Sequence, residues 1–255
     1  MSQHLEFIEM AKLKRPLGEA KRLVVVTGAG VSAESGIPTF RDKENGLWSQ
    51  FSPQHLATPE GFVQDKALVW AWYEWRRHLV MQAQPNAGHR AIAGMAKKVE
   101  QFTLVTQNVD DLHERAGSEN VVHVHGEIMK SRCFSCKREQ EHVLPADFVA
   151  VERIMPPKCK HCDEHLRPGV VWFGEMLPYE SWRRAVQAAR DCDLLICIGT
   201  SGLVTPAASL PWEARESGAM VVQVNPEVSK LDSVAHLNIR GTSAQVLPQL
   251  LESVG

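Results

Sequence analysis

Short runs of apolar, mostly β-branched residues recur along the chain, and the segments between them repeat apolar residues at helical spacing. Uninterrupted apolar strands separated by helices are typical of a parallel sheet that is covered by helices on both faces. The pattern therefore predicts an α/β fold. The predicted strands are 23–26, 102–106, 121–124, 194–198 and 220–224, and the predicted helices are 67–83, 86–100, 179–191 and 205–217.

Two segments interrupt this alternation of strands and helices. Residues 39–84 begin with an irregular stretch and carry most of the tryptophans, whereas residues 130–167 carry four of the six cysteines. We expect both segments to be insertions into the sheet domain. That domain would then comprise 1–38, 85–129 and 168–255.

The cysteines of the second insertion form two C-x-x-C pairs with 22 residues between the inner cysteines. Each pair directs two thiolates at one point, and two pairs complete a tetrahedral Zn²⁺ site. Disulfides or free thiols are the alternatives, and the lack of an export signal disfavours disulfides. No adjacent residue supplies an open coordination position, so we expect the zinc to be structural. The predicted ligands are Cys133, Cys136, Cys159 and Cys162, whereas Cys192 and Cys197 are expected to be core residues.

Polar and glycine-rich sequences follow the predicted strands, where an open parallel sheet binds its ligands. The turn Gly28-Ala29-Gly30 after the first strand lets backbone amides approach a pyrophosphate. Gly36 and Pro38 end any helix soon afterwards, which disfavours a dehydrogenase and hydride transfer. Together with this turn, the polar residues at three further strand ends favour a bound nucleotide. These residues are Gln107, Asn108 and Asp110, then Gly199, Thr200 and Ser201, and finally Asn225, Pro226 and Glu227.

A general base is available where the predicted strand 121–124 ends. His123 and His125 are two residues apart and lie on the same face of that strand. Either imidazole could act as a base near neutral pH. The spacing alone does not rank the two.

Charge and hydropathy exclude several classes of protein. Lys and Arg total 28 against 30 Asp and Glu, for a formal net charge of −2, whereas binding to nucleic acid or anionic lipid needs an excess of positive charge. The apolar runs are far shorter than a membrane span, and the first residues lack the features of a secretory or transit peptide. We therefore expect a cytoplasmic protein without nucleic-acid or membrane partners. The sequence does not predict an oligomeric state, and a monomer is compatible with it.

The stretch Gly28-Ala29-Gly30-Val31-Ser32-Ala33-Glu34-Ser35-Gly36-Ile37-Pro38-Thr39-Phe40-Arg41-Asp42 closely resembles the signature of the sirtuin family. So do Thr106-Gln107-Asn108-Val109-Asp110, His125-Gly126, the paired C-x-x-C motifs, Gly199-Thr200-Ser201 and Asn225-Pro226-Glu227. The chain looks like a bacterial NAD-dependent protein-lysine deacylase of the class III, desuccinylase- and demalonylase-like, type. The resemblance implies a Rossmann-like domain with a cofactor loop and helical insertion at 39–84 and a zinc-binding module at 130–167.

The resemblance also implies that NAD is consumed rather than reduced, so that the acyl group passes from lysine to ADP-ribose and nicotinamide is released. It implies that His125 is the base, because the family's base directly precedes the glycine, and that Asn108 and Asp110 are catalytic side chains that orient the nicotinamide ribose and carboxamide. The implied cofactor contacts are Gly28, Ala29, Gly30, Ala33, Phe40, Arg41, Trp48, Gln107, Asn108, Asp110, Gly199, Thr200, Ser201, Asn225, Pro226, Glu227 and Ser243.

Tyr73 and Arg76 are three residues apart and therefore share one face of the predicted helix. The Tyr-x-x-Arg pattern resembles the sirtuin subclass that removes acidic acyl groups, since a guanidinium can pair with the free carboxylate of succinyl- or malonyl-lysine. A solvent-facing Arg beside a core Tyr is the alternative. A second segment resembles the strand with which the family pairs the substrate peptide. The alternative is that its two aromatic residues, Trp172 and Phe173, belong to the core. This segment contains Val171, Trp172, Phe173 and Gly174.

Together these features predict an NAD-dependent protein-lysine deacylase that acts on acyl-lysine proteins or peptides. We expect it to prefer succinyl- or malonyl-lysine and also to deacetylate. An NAD-dependent mono-ADP-ribosyltransferase would use the same cofactor cleavage and is the alternative enzyme. A non-catalytic zinc module that senses NAD or ADP-ribose is the alternative outside enzymes.

Overall fold

The computed structural model describes residues 2–39, 48–145 and 147–252, with side chains from Met10 onward. These residues contain nine strands and ten α-helices. The strands are β1 (Arg22–Thr27), β2 (Gln101–Thr106), β3 (Val122–His123), β4 (Gly126–Cys133), β5 (Glu139–Gln140), β6 (Leu166–Val170), β7 (Leu194–Ile198), β8 (Met220–Val224) and β9 (Leu237–Ile239). The helices are α1 (Ser2–Glu19), α2 (Gly30–Ala33), α3 (Pro53–Leu56), α4 (Pro59–Gln64), α5 (Lys66–Gln82), α6 (Ala87–Met95), α7 (Leu112–Arg115), α8 (Tyr179–Asp191), α9 (Leu210–Glu216) and α10 (Ser243–Glu252).

Six of the strands form a parallel sheet in the order β3-β2-β1-β7-β8-β9. The chain leaves β1 first toward β2 and β3 and later returns on its other side with β7, so the strand order reverses at β1. Such a reversal opens a crevice outside the carboxyl ends of the strands, where open α/β sheets bind their ligands. The strand registers bring five strand ends to that edge, namely Thr27, Thr106, His123, Ile198 and Val224.

The apolar run of β1 is continuous because both faces of the sheet are buried. Leu23 and Val25 pack into a core cluster with residues of α1, α6 and α10. Val24 and Val26 point to the opposite face and pack against residues of α8 and α9. The central sheet is therefore covered by helices on both sides, as the sequence pattern predicts.

The other three strands form a small antiparallel sheet in the order β5-β4-β6. The helix α5 packs against it, and its first turn is capped by Asp65, whose carboxylate accepts from the Leu68 amide at 2.9 Å. A third core cluster joins α5 to this sheet and includes Phe62, Trp72 and Trp172. This sheet extends beyond residues 130–167 at both ends, because β4 begins at Gly126 and β6 ends at Val170.

The predicted α/β fold and all five predicted strands are confirmed, and helix 179–191 is found as α8. The helix predicted at 86–100 ends at Met95, because Lys97 and Lys98 form tighter bonds to Gly94 and Met95 before the chain enters β2. The helix predicted at 205–217 begins only at Leu210, one residue before Pro211, after a 3₁₀ turn. The sequence pattern missed α1, α10 and the edge strand β9. None of the helices described here combines the length and apolarity that a bilayer span needs.

Candidate active site at the carboxyl edge of the sheet

A cavity of about 700 Å³ opens at the carboxyl edge of the parallel sheet. This volume lies in the range of small-molecule sites. Residues that follow five strands line one side of the cavity, and α5 with the segment after β6 lines the other. The predicted site residues in its wall are Gly28, Ala29, Gly30, Ala33, Tyr73, Arg76, Gln107, Asn108, Asp110, His125, Val171, Trp172, Phe173, Gly174, Gly199, Thr200, Ser201, Asn225, Pro226 and Glu227.

Two glycine turns meet at the floor of this cavity. The Gly28 amide donates to the Ile198 carbonyl at 3.0 Å, and the Gly30 amide donates to the Gly199 carbonyl at 2.8 Å. A Cβ at Gly28 would lie 2.8 Å from the Gly199 oxygen, and one at Gly199 would lie 2.6 Å from the Val31 nitrogen. The two turns approach each other so closely that no side chain fits between them. The wall therefore presents backbone at the start of α2, as a bound pyrophosphate requires.

Buried polar side chains form a network beside the glycine turns. Ser32 Oγ donates to Asp110 Oδ2 at 2.9 Å, and Asn108 Nδ2 donates to Ser32 Oγ at 3.1 Å. Burial raises the pKa of the Asp110 carboxyl, and the hydrogen bonds from Ser32 and the Leu112 amide offset this only in part. On the other side of the cavity, Gln107 Nε2 donates to Thr200 Oγ1 at 3.1 Å. The segment after β2 is thereby tied to the turns after β1 and β7.

His125 lies in the cavity wall, and its imidazole is held in one tautomer. Its Nδ1 is 3.0 Å from the Gln107 carbonyl oxygen. A carbonyl can only accept, so Nδ1 carries the proton and the neutral ring has an unprotonated Nε2. Burial lowers the pKa of His125, partly offset by the bond to Gln107. The imidazole is therefore neutral and basic at Nε2 at physiological pH.

His123 has a different environment, outside the cavity lining. Its Nδ1 is 3.3 Å from the Asn108 carbonyl oxygen, and its Nε2 is 2.7 Å from Glu114 Oε1. Burial by itself lowers the pKa of His123, but the hydrogen bond and charge of Glu114 outweigh it, so the pKa is raised. Both ring nitrogens are engaged, so His123 supports the Asn108 backbone from behind the cavity.

Tyr73 and Arg76 lie together in the cavity wall, on one face of α5. Tyr73 is 2% exposed and Arg76 is 6% exposed. The Arg76 guanidinium carbon is 5.0 Å from the centroid of the Trp72 ring, a stacking contact that favours the cation. The alternative of a solvent-facing Arg76 is therefore wrong. Burial raises the pKa of Tyr73 to about 12, so its hydroxyl stays protonated at neutral pH.

The segment after β6 crosses the cavity beside His125. The Val171 amide donates to the His125 carbonyl at 2.8 Å, and the Phe173 amide donates to the Ala57 carbonyl at 2.9 Å. Trp172 is buried at 2% exposure, whereas Phe173 is 44% exposed. Trp172 is thus both a core aromatic and a wall residue, and Phe173 is no core residue.

The four cysteines of the two C-x-x-C pairs come together at the end of the small sheet. Their sulfur atoms all lie within 4.8 Å of one another, with Cys133 Sγ 3.4 Å from Cys162 Sγ and Cys136 Sγ 3.7 Å from Cys159 Sγ. Four sulfurs at tetrahedral Zn–S distances of about 2.3 Å are separated by similar amounts. All six cysteines are free rather than disulfide-bonded. The geometry fits a closed, four-thiolate zinc site.

Two described residues among the predicted cofactor contacts, Trp48 and Ser243, do not line this wall. Phe40 and Arg41 fall outside the described residues. The Trp48 ring is 1% exposed and packs against Phe51 and Trp75, with centroids 5.9 Å away in both cases. Ser243 begins α10, and its Oγ is 3.4 Å from the Glu34 carboxylate.

Sequence reasoning did not find some residues that shape the cavity. Leu203 and Val228 stand exposed in its wall, after the turns that follow β7 and β8. The position of these apolar residues directly after polar turns at strand ends could have predicted their place in the wall. Glu175 also lies in the wall and forms an ion pair with the buried Arg167, with Arg167 Nη2 3.0 Å from Glu175 Oε2. No sequence pattern links these two residues.

Residues 28–206 of the chain match the model of the Sir2 family. The chain belongs to the Sir2 family. It is 52% identical to NAD-dependent protein deacylase 1 of Pseudomonas aeruginosa over 237 residues, which cover 92% of this chain and 95% of that protein. It is 46% identical to an NAD-dependent protein deacylase of Aquifex aeolicus, covering 92% of this chain and 95% of that protein.

Solved Sir2 structures share the fold of this family member. A Sir2 homologue in complex with NAD superimposes with a TM-score of 0.88 at 45% identity, covering 96% of this chain and 93% of that one. A Sir2 variant with a deacetylated p53 peptide and 3'-O-acetyl ADP ribose superimposes with a TM-score of 0.80 at 28% identity, covering 95% and 97% of the two chains. The Sir2 match spans both the first glycine turn and the four clustered cysteines.

Proposed function

We propose that this Sir2 family member prefers acidic acyl groups, such as succinyl and malonyl, over acetyl on the lysine side chains that it deacylates. The chain is an NAD-dependent protein deacylase, so the proposal concerns the acyl group. The observation that carries it is the position of Tyr73 and Arg76, which line the same cavity as His125.

Arg76 supplies the charge that distinguishes the two kinds of acyl group. Its guanidinium can bind a carboxylate through two parallel N–H donors, and the Tyr73 hydroxyl can donate one further bond. Hydrogen bonds to charged groups contribute about 1.5–3 kcal/mol, which corresponds to about 10- to 100-fold in kcat/KM. An acetyl group has no carboxylate for these donors. A buried cation in the wall therefore favours succinyl over acetyl.

The chemistry would be carried out at the edge of the sheet. Bound NAD supplies the ADP-ribose that accepts the acyl group and the nicotinamide that leaves. We assign His125 Nε2 as the base that takes a proton from a ribose hydroxyl, because the Gln107 carbonyl holds the ring with Nε2 unprotonated. Asn108 and Asp110 line the same cavity as His125, and we assign them to orient the ribose and carboxamide. We assign the glycine turns to bind the pyrophosphate.

The zinc is proposed to act through structure alone. Four thiolates close the coordination sphere, so no position remains for a water or substrate. Cys133 and Cys159 pack against Trp70 of α5 and Leu166 of β6. We therefore propose that the module at 130–167 stabilises the small sheet and the helix that carries Tyr73 and Arg76.

The proposal is tested by mass spectrometry of succinyl-, malonyl-, glutaryl- and acetyl-lysine peptides of one sequence with NAD. We expect the wild type to show a higher kcat/KM on the succinyl than on the acetyl peptide. Arg76→Met should lower kcat/KM on the succinyl peptide by about 10- to 100-fold more than on the acetyl peptide. Arg183→Met, at an exposed position of α8, is the matched control. It should leave the succinyl-to-acetyl ratio of kcat/KM unchanged.

Equal losses on both peptides in Arg76→Met would refute the assignment of the acyl site. The same assay separates the deacylase from the transferase of the alternative prediction, since labelled NAD would mark a protein only in a transfer reaction. His125→Ala should abolish turnover while zinc content and the melting temperature stay near those of the wild type.

A further inference from the structure

Trp172 and Tyr73 are joined by a buried hydrogen bond within the cavity wall. The Trp172 indole Nε1 donates to the Tyr73 hydroxyl oxygen at 2.9 Å. Both side chains are 2% exposed. The two residues come from different elements, Tyr73 from α5 and Trp172 from the segment after β6. The bond therefore connects the proposed acyl-binding helix to the proposed peptide-binding segment.

The direction of this bond is fixed by the chemistry of the indole. An indole N–H can only donate, so the Tyr73 oxygen must accept. The tyrosine hydroxyl has a single proton, and that proton is left for an acceptor other than Trp172. Because burial keeps this hydroxyl protonated at neutral pH, Tyr73 remains a donor wherever a ligand reaches it.

The indole itself is held from two sides. The Arg167 guanidinium carbon lies 3.3 Å from the centroid of the Trp172 ring. The Trp172 backbone amide donates to Glu175 Oε2 at 2.8 Å, and the same carboxylate pairs with Arg167. One ion pair therefore fixes both the main chain and the ring face of Trp172. The Nε1–H is thereby presented to Tyr73 in one orientation.

We propose that Trp172 is a positioning residue for acyl selectivity, because its indole occupies the acceptor side of the Tyr73 hydroxyl and leaves that hydroxyl as a donor to the ligand. A carboxylate only accepts hydrogen bonds, so a hydroxyl committed to donation suits an acidic acyl group. An acetyl methyl group gains nothing from it. Selectivity then depends on three residues, Arg76, Tyr73 and Trp172, rather than on the first two alone.

Trp172→Phe tests this assignment because it removes the N–H and keeps an aromatic ring. We expect the succinyl-to-acetyl ratio of kcat/KM to fall by about fivefold, the equivalent of one hydrogen bond of about 1 kcal/mol. The change should lie mainly in KM for the succinyl peptide. Trp70→Phe is the matched control, since Trp70 is equally buried on α5 but packs against His142 and Arg77. It should leave the ratio unchanged.

A double-mutant cycle separates positioning from general packing. In a Tyr73→Phe background, Trp172→Phe should lower the ratio no further, because the hydroxyl that it orients is already gone. A merely structural Trp172 would instead lower kcat/KM on both peptides alike and additively, which would overturn the proposal. If Trp172→Phe does not fold, ¹⁵N spectra of the indole groups decide. The Trp172 resonance should shift in Tyr73→Phe, and an unchanged resonance would overturn the proposal.

Because the assignment rests on the proposed acidic-acyl preference, the two failures must be distinguishable. If Arg76→Met lowers the ratio and Trp172→Phe does not, only the role of Trp172 is refuted. If the wild type shows no preference for the succinyl peptide, or if Arg76→Met leaves the ratio unchanged, the proposed acyl site fails, and the role of Trp172 fails with it.

Discussion

Replacing Glu74 by Gln should destabilise the protein strongly, because Glu74 neutralises a buried arginine. The Glu74 and Arg77 side chains are 3% and 1% exposed, and they form an ion pair within α5. Arg77 also donates to the carbonyl oxygens of Ile128 and Lys130 at 2.7 and 3.2 Å and to Ser131 Oγ at 3.0 Å. One guanidinium thus joins α5 to β4.

The magnitude follows from the burial of the pair. Burial lowers the pKa of Arg77, and the charge and hydrogen bond of Glu74 offset that effect only in part. Removing one partner of a buried ion pair costs about 3–5 kcal/mol, since the other charge stays buried without compensation. For a chain of this size, each kcal/mol lowers the melting temperature by about 2–4 °C. Glu74→Gln should therefore melt about 6–20 °C below the wild type.

The assay is thermal and urea denaturation of the zinc-loaded protein, followed by circular dichroism. Glu180→Gln is a matched control, because Glu180 and Arg183 form a pair of the same spacing at 69% and 58% exposure. Exposed pairs contribute at most about 1 kcal/mol. If Glu74→Gln destabilises no more than Glu180→Gln, the buried pair does not fasten α5 to β4 and the reasoning is refuted.

Three further predictions concern the metal and pH. Elemental analysis should find one zinc ion per chain. Cys136→Ser should lower both the zinc content and the melting temperature, whereas the control Cys192→Ser should keep the full zinc content. Because burial lowers the pKa of the proposed base His125, kcat/KM should be at its maximum at neutral pH and should fall on acidification with a midpoint below pH 6.5. A midpoint above pH 6.5 would contradict a neutral, buried base. Burial lowers the pKa of His89 to about 4, so the unfolded chain takes up the proton first as the pH falls from 6.5 toward 4, and the free energy of unfolding should fall over that window. His89→Gln should reduce this dependence in urea titrations without abolishing it, because burial also lowers the pKa of His113 and of His125. An unaltered slope would show that His89 does not contribute.

The sequence predicts those features that depend on local pattern. The alternating burial of Leu23, Val24, Val25 and Val26 on two faces yields a continuous apolar run, so β1 is recognisable without its neighbours. The C-x-x-C spacing brings thiols together by local geometry. The carboxyl ends of parallel strands lie at one edge of their sheet. The location of the ligand site was therefore predictable once the strands were known.

Features that depend on distant partners were missed. The strand β9 has only three residues, Leu-Asn-Ile, and lies at the sheet edge, so no run of apolar residues announces it. The bond between Trp172 and Tyr73 joins residues 99 positions apart, and no spacing rule covers such a distance. The spacing alone did not rank His125 and His123, whereas the family resemblance favoured His125; the structure has His125 in the cavity wall and His123 outside the lining.

The cavity wall has two parts, one built from backbone contacts that do not tolerate a side chain and one built from side chains that can be substituted. The glycine turns after β1 and β7 touch through their backbones, so a single Cβ at Gly28 or Gly199 would force them apart. The wall that we propose to face the acyl group is instead built by side chains of α5 and the segment after β6, which join through Trp172 and Tyr73. A substitution there changes hydrogen-bond polarity or charge without moving a strand. On the proposed assignments, this separation lets the sheet edge keep its nucleotide site while substitutions of a few side chains change the acyl site.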